Sequence, residues 1–196
     1  MRPLSGRCDR PLLGSASNVA NVIDRLPFSS RESNVAVPGG TVRILPFQIV
    51  VTVSVTPLGR STLEATVPRF PAVLDTGFNR AFLLQEQHLL DWAGLQPEGL
   101  SWLEEITAYG RTIPVFAGGV WLHRNKPRTR DPAPRRRPFR IQLSPGIAVC
   151  PREMGQPRLP LFGLRALFVA NLELLVSWTG KEDPAGYVTL RTPRKR

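Results

Sequence analysis

The chain has 196 residues, enough for one domain with a sizeable core and too few for two of ordinary size. Its formal charge of +11 comes from 23 Arg and only 3 Lys against 15 acidic residues; so strong a preference for Arg points to a GC-rich genome as much as to selected basicity, which weakens the case for a nucleic-acid partner. With 20 Pro and 16 Gly the chain favours short strands and turns over long helices, and two distant cysteines, Cys8 and Cys150, argue against a disulfide framework or a four-cysteine metal site.

Residues 1–40 keep neither a helical nor a strand period and end in Pro38-Gly39-Gly40, so they are expected to form a flexible tail ahead of one domain over residues 41–193. No apolar core follows the basic start, and later apolar stretches are broken by Gln48, or by Arg165, Asn171 and Glu173. A cytoplasmic protein without a membrane partner is the expectation.

From Phe47 the pattern sharpens. Phe47, Ile49, Val51, Val53 and Val55 alternate with Gln48, Thr52 and Ser54, predicting a half-buried strand. Pro57-Leu58-Gly59-Arg60 supplies a turn, and Leu63, Ala65 and Val67 alternate with polar residues on a predicted return strand. Phe70 to Leu74 is an apolar, β-prone run that ends in the turn Asp75-Thr76-Gly77-Phe78-Asn79.

Arg80–Leu84 predicts a strand and Glu86–Ala93 a short helix, with Leu89, Leu90 and Trp92 inward and Gly94 as its stop. His88 on that helix is expected at the surface or partly packed, because the only other histidine, His123, stands at no metal-ligand spacing from it. Trp102–Tyr109 and Thr112–Leu122 predict a hairpin with its tip at Tyr109-Gly110-Arg111.

Arg124–Arg140 carries eight basic residues against Asp131 alone and is broken by four prolines, so an exposed loop is expected. Phe139–Leu143 and Ile147–Val149 read as strands on either side of a turn at Ser144-Pro145-Gly146. Leu164–Asn171 predicts a short helix. A strand follows whose residues Leu172, Leu174, Val176 and Trp178 form an apolar face, then a last strand at Tyr187–Arg191 and a basic end, residues 194–196, that frays.

Two of these stretches belong together. Ala72-Val73-Leu74-Asp75-Thr76-Gly77 resembles the signature of retropepsin-like aspartic proteases, and its continuation Phe78-Asn79 is similar to a bacterial branch of that group. Pro160-Leu161-Phe162-Gly163-Leu164 resembles the hydrophobic-hydrophobic-Gly segment that comes late in the same fold. The resemblance spans roughly residues 44–192. It implies an all-β, closed acid-protease barrel with one or two short helices, acting on a peptide or protein substrate without cofactor or metal.

Hydrolysis by carboxylates alone needs two of them beside one water, one ionised to take its proton and one protonated to donate to the carbonyl oxygen. One Asp-Thr-Gly per chain supplies only one, and Asp91, Asp131 and Asp183 lack the strand-turn setting. A homodimer with its axis between two Asp75 residues solves this, as in single-domain members of the family. The resemblance assigns catalysis to Asp75, Thr76 and Gly77, substrate contact to Phe78, Asn79 and the flap tip Tyr109 and Gly110, and structural support to Leu161, Phe162 and Gly163.

Three departures stand out. Phe78 replaces a small residue, Asn79 a common Asp, and Leu164 an Arg that can pair with that Asp, so the loop needs another brace, for which Arg80 and Arg165 are the candidates. A bulky Phe78 also leaves open an inactive dimerisation or peptide-binding module. A basic nucleic-acid binder ranks below both, since the Arg-rich loop lacks interleaved aromatics and its prolines prevent a recognition helix.

Overall fold

The computed structural model describes residues 19–108 and 110–193. Twelve strands follow in chain order: β1 (Asn21–Phe28), β2 (Ser33–Val37), β3 (Gly40–Ile44), β4 (Ile49–Pro57), β5 (Phe70–Asp75), β6 (Phe82–Gln85), β7 (Trp102–Ala108), β8 (Arg111–Leu122), β9 (Phe139–Cys150), β10 (Leu161–Gly163), β11 (Glu173–Trp178) and β12 (Gly186–Arg191). The main helical pieces are a π-helical turn at His88–Trp92 and the six-residue helix α1, Leu164–Val169. The protein is an all-β fold, and six strands close a barrel in the order β4-β5-β10-β6-β9-β8, with β8 returning to β4. β7 extends the sheet beyond β8, while β1-β12-β11 and β2-β3 form two smaller sheets.

The barrel closes because apolar residues alternate on its strands and meet inside: Val51, Val53, Phe70, Leu74, Phe82, Leu84, Val120, Ile141 and Phe162 are all buried. β10 has a special place. It lies between β5 and β6, parallel to β5 (Leu161 opposite Val73, Gly163 opposite Asp75) and antiparallel to β6 (Phe162 opposite Phe82). The chain therefore leaves β5, turns through residues 76–81 and returns two positions away, with a segment from much later in the sequence filling the gap.

Several expectations are corrected. Within the supposed tail, residues 21–28 form β1, paired with β12, and residues 33–37 form β2; residues 1–18 lie outside the described ones. Val22, Ile23, Leu26 and Phe28 are buried, but register shifts at Ile23 and Leu26 and a positive φ of 47° at Arg25 destroy the simple alternation that reveals a strand. The return strand Leu63–Val67 does not form. Pro68 has no N–H to give a ladder, its carbonyl accepts the Ser54 hydroxyl at 2.6 Å, and β5 pairs with β4 directly.

The turn predicted at Ser144-Pro145-Gly146 is instead a bulge inside one twelve-residue strand, β9. Gly146 carries it: with φ +78° and Val115 Cγ1 only 2.4 Å from where a Cβ would stand, no other residue fits. The apolar face of the penultimate strand exists, but β11 is a sheet edge, leaving Val176 44% and Trp178 67% exposed.

Candidate active site

β5 is buried from Phe70 to Leu74, and the carboxylate of Asp75 emerges where burial ends: Asp75 is half-buried, Thr76 and Gly77 exposed. The turn holds itself. Asp75 Oδ1 accepts the Gly77 N–H at 2.9 Å, and the Phe78 N–H donates to the Asp75 carbonyl at 3.3 Å. A Cβ at Gly77 would stand 3.3 Å from Asp75 Oδ1, tight enough to disturb that bond. Among the described residues, Asp75 Oδ2 and the Thr76 hydroxyl have no hydrogen-bond partner, and both stand at the exposed end of the strand.

Leu161 and Phe162 continue the barrel wall beside Val73 and Leu74, and Gly163 lies opposite Asp75. The brace of the Asp75 loop, however, is not a side chain of Arg80 or Arg165. The Gly163 N–H donates to the Ala81 carbonyl at 3.0 Å and the Leu164 N–H to the Phe78 carbonyl at 3.3 Å, so main chain from β10 and α1 fixes both ends of the loop. Backbone bonding of this kind leaves no trace in residue identity, which is why the neutral pair Asn79 and Leu164 suffices.

Phe78 packs its half-buried ring against Leu83, Ile106, Ile113 and Val115, a small core under the β7–β8 hairpin. It therefore ties the Asp75 loop to the hairpin. Asn79 is exposed beside it. At the hairpin tip Gly110 is exposed with φ +70°, while Tyr109 lies outside the described residues. Five cavities lie elsewhere and none of them has Asp75 in its wall; the half-buried carboxylate sits where the buried strand gives way to exposed Thr76 and Gly77. No group of three or more His, Cys, Asp or Glu able to hold a metal occurs among the described residues, and no helix among them is long and apolar enough to cross a membrane.

Both histidines are buried, against the expectation of a surface or partly packed position for His88. Its ring stacks on Trp92 with centroids 4.2 Å apart and its Nδ1 accepts the Gln85 N–H at 3.2 Å. Burial holds its pKa down at about 4, partly opposed by a hydrogen bond to the Arg158 backbone. His123 Nε2 lies 2.9 Å from Ser54 Oγ, and since that hydroxyl is already donating to Pro68, the ring donates and carries its proton on Nε2. Burial, and then the charge of Arg69, hold His123 at about 4 as well.

The Arg-rich loop is exposed over much of its length but anchored at its base. Asn125 is buried: its Oδ1 accepts the Asp24 N–H and its Nδ2 points at the carbonyls of Asp24, Lys126 and Thr129, all at 2.9 Å. Sequence reading missed Asn125 because its partner strand β1 was itself invisible.

No family model matches this chain, and no curated protein or solved structure matches it either.

Proposed function

We propose that the chain is an aspartic endopeptidase of retropepsin type, hydrolysing peptide bonds with a water held between two Asp75 carboxylates, one from each subunit of a homodimer. The observation that carries this reading is the ladder that sets Gly163 opposite Asp75, with the loop between β5 and β6 clamped by main-chain bonds from Gly163 and Leu164. Such a clamp holds a carboxylate at a fixed place and height, which general acid-base catalysis requires. The exposure of Thr76 and Gly77 beside the half-buried Asp75 supports a site completed by a second copy. So does α1, which starts next to Gly163 and presents Leu164 and Phe168, the latter 83% exposed.

In the dimer one Asp75 is ionised and the other protonated, because like charges about 3 Å apart resist ionising together. The ionised group takes a proton from water as its oxygen attacks the scissile carbonyl, and the protonated one donates to the carbonyl oxygen. Collapse of the tetrahedral adduct, with a proton passed to the amine, breaks the C–N bond.

The test is Asp75→Asn, assayed on a peptide library across pH beside the unaltered protein. The amide keeps shape and turn but cannot share the proton, so hydrolysis falls by at least about 10⁴ while circular dichroism is unchanged. Equal cleavage by both proteins would refute the assignment. No cleavage by either at any pH would favour a peptide-binding module without catalysis.

A further inference from the structure

The start of β5, at the opposite end from Asp75, borders a second feature. Two adjoining cavities of about 180 Å³ each share Arg69, His123, Arg124 and Pro132 in their walls. The inner one also receives Arg130, and its accessible apolar lining is Val35, Ala36 and Pro132, since Ile23, Val51 and Phe70, which also border it, are buried in the core. The outer one is ringed by Arg135, Arg136 and Arg137 of the loop.

The charges here are all of one sign. Among the described residues no carboxylate pairs with Arg69, Arg124, Arg130 or Arg136, and the loop's own acid, Asp131, faces Lys126 at 3.9 Å. Arg124 is fixed by bonds from its guanidinium to the carbonyls of Asn21 and Arg137, and Arg130 reaches the Pro27 carbonyl at 3.4 Å. Two of the cations are therefore held in place by the fold rather than free to swing apart. Their mutual cost is visible: Arg136 adds to burial in lowering the pKa of Arg124, and Arg69 does the same to His123. An arrangement that collects cations beside an apolar wall, two of them fixed by the fold and none balanced by an acid, is neutralised by a bound anion.

We infer that this double cavity is a binding site for a small phosphorylated molecule, with the phosphoryl oxygens on Arg69, Arg124 and Arg136 and an apolar group against Val35, Ala36 and Pro132. Arg is the residue suited to this, since its planar fork meets two phosphoryl oxygens at once. The apolar wall distinguishes the site from a merely basic surface, which would follow an extended polyanion by charge alone.

Phenyl phosphate and inorganic phosphate are the probes, titrated calorimetrically at constant ionic strength, with the chain carrying Asp75→Asn as a parallel sample. Phenyl phosphate is expected to bind about tenfold or more tighter than inorganic phosphate, because the ring reaches the wall. At 100 times its Kd it should raise Tm by about 5–10 °C. Arg69→Gln and Arg136→Gln remove side chains with no hydrogen bond inside the described protein, so ligand-free Tm should stay put while phenyl phosphate binding weakens about tenfold or more in each. Asp75→Asn should bind like the unaltered chain. Undiminished binding in both Arg variants overturns the site, as does equal affinity for the two probes. So does tight uptake of a single-stranded oligonucleotide with no measurable binding of phenyl phosphate, which would make the patch a polyanion surface.

Discussion

At Gly163 there is no room for a methyl group: a Cβ there would stand 2.1 Å from the Arg80 carbonyl oxygen, 2.6 Å from that of Phe78 and 2.7 Å from the Phe78 ring. Two of the three are main chain and cannot swing away. Gly163→Ala should therefore cost about 3 kcal/mol or more, by forcing the Asp75 loop off β10, and cleavage should fall further than the loss of folded protein explains. Urea unfolding together with activity per folded molecule checks both. The two histidines set a different limit. Each is neutral when folded, with its pKa at about 4 against an ordinary 6.5, so the unfolded chain takes up protons that the folded one refuses. Their contribution is complete above about pH 6.5 and is lost as pH falls toward 4, about 3 kcal/mol for each. The urea midpoint should drop over that window, and His123→Gln should remove roughly half of the slope; a midpoint flat from pH 7 to 4.5 would mean the rings are not buried neutral. A protein with this core loses stability before it reaches strongly acid solution.

Among the elements, the Arg-rich loop separates into an anchor and a rim. Asn125→Ala removes the acceptor of the Asp24 N–H and an amide whose two hydrogens are shared among the carbonyls of Asp24, Lys126 and Thr129, so a loss of about 3 kcal/mol is expected. Replacing Arg135, Arg136 and Arg137 with Ser should leave Tm within about 1 °C, since all three are exposed. Thermal unfolding of the two variants side by side decides it, and an equal collapse in both would show that the rim is structural. What the sequence discloses about elements follows the same physics. β4, β5 and the β7–β8 hairpin were legible because alternation and turn residues act over neighbouring positions. β10 was legible through resemblance alone, as three residues have no period. β1 was not, because a bulged strand hides its burial pattern, and neither was the Asn125 anchor, which exists only when residues 101 apart meet. At the candidate site, the residue types around Asp75 could be named in advance. The main-chain clamp and the inward packing of Phe78 could not, since both depend on strands brought together from distant parts of the chain.

For the whole molecule the proposed chemistry demands two chains. Sedimentation velocity should give a dimer at micromolar concentration, and Phe168→Glu, which puts a charge on the exposed face of α1, should raise the dimer dissociation constant on the order of 100-fold and abolish hydrolysis while the monomer stays folded. A monomer that still cleaves peptides would end the shared-site reading. The strand order also imposes a timetable on the chain. β5 and β6 come off the ribosome with a gap between them one strand wide, and Leu161–Gly163, which fills it, emerges about seventy-five residues after β6, roughly 4 to 15 s at ordinary rates of synthesis. In that interval both strand edges are open to other chains, and a chaperone has reason to hold them. The same delay has a protective side under the proposed function: a half-made chain already carries Asp75-Thr76-Gly77 but has no β10 to clamp the loop, so the geometry proposed for cutting arises only after the barrel is complete.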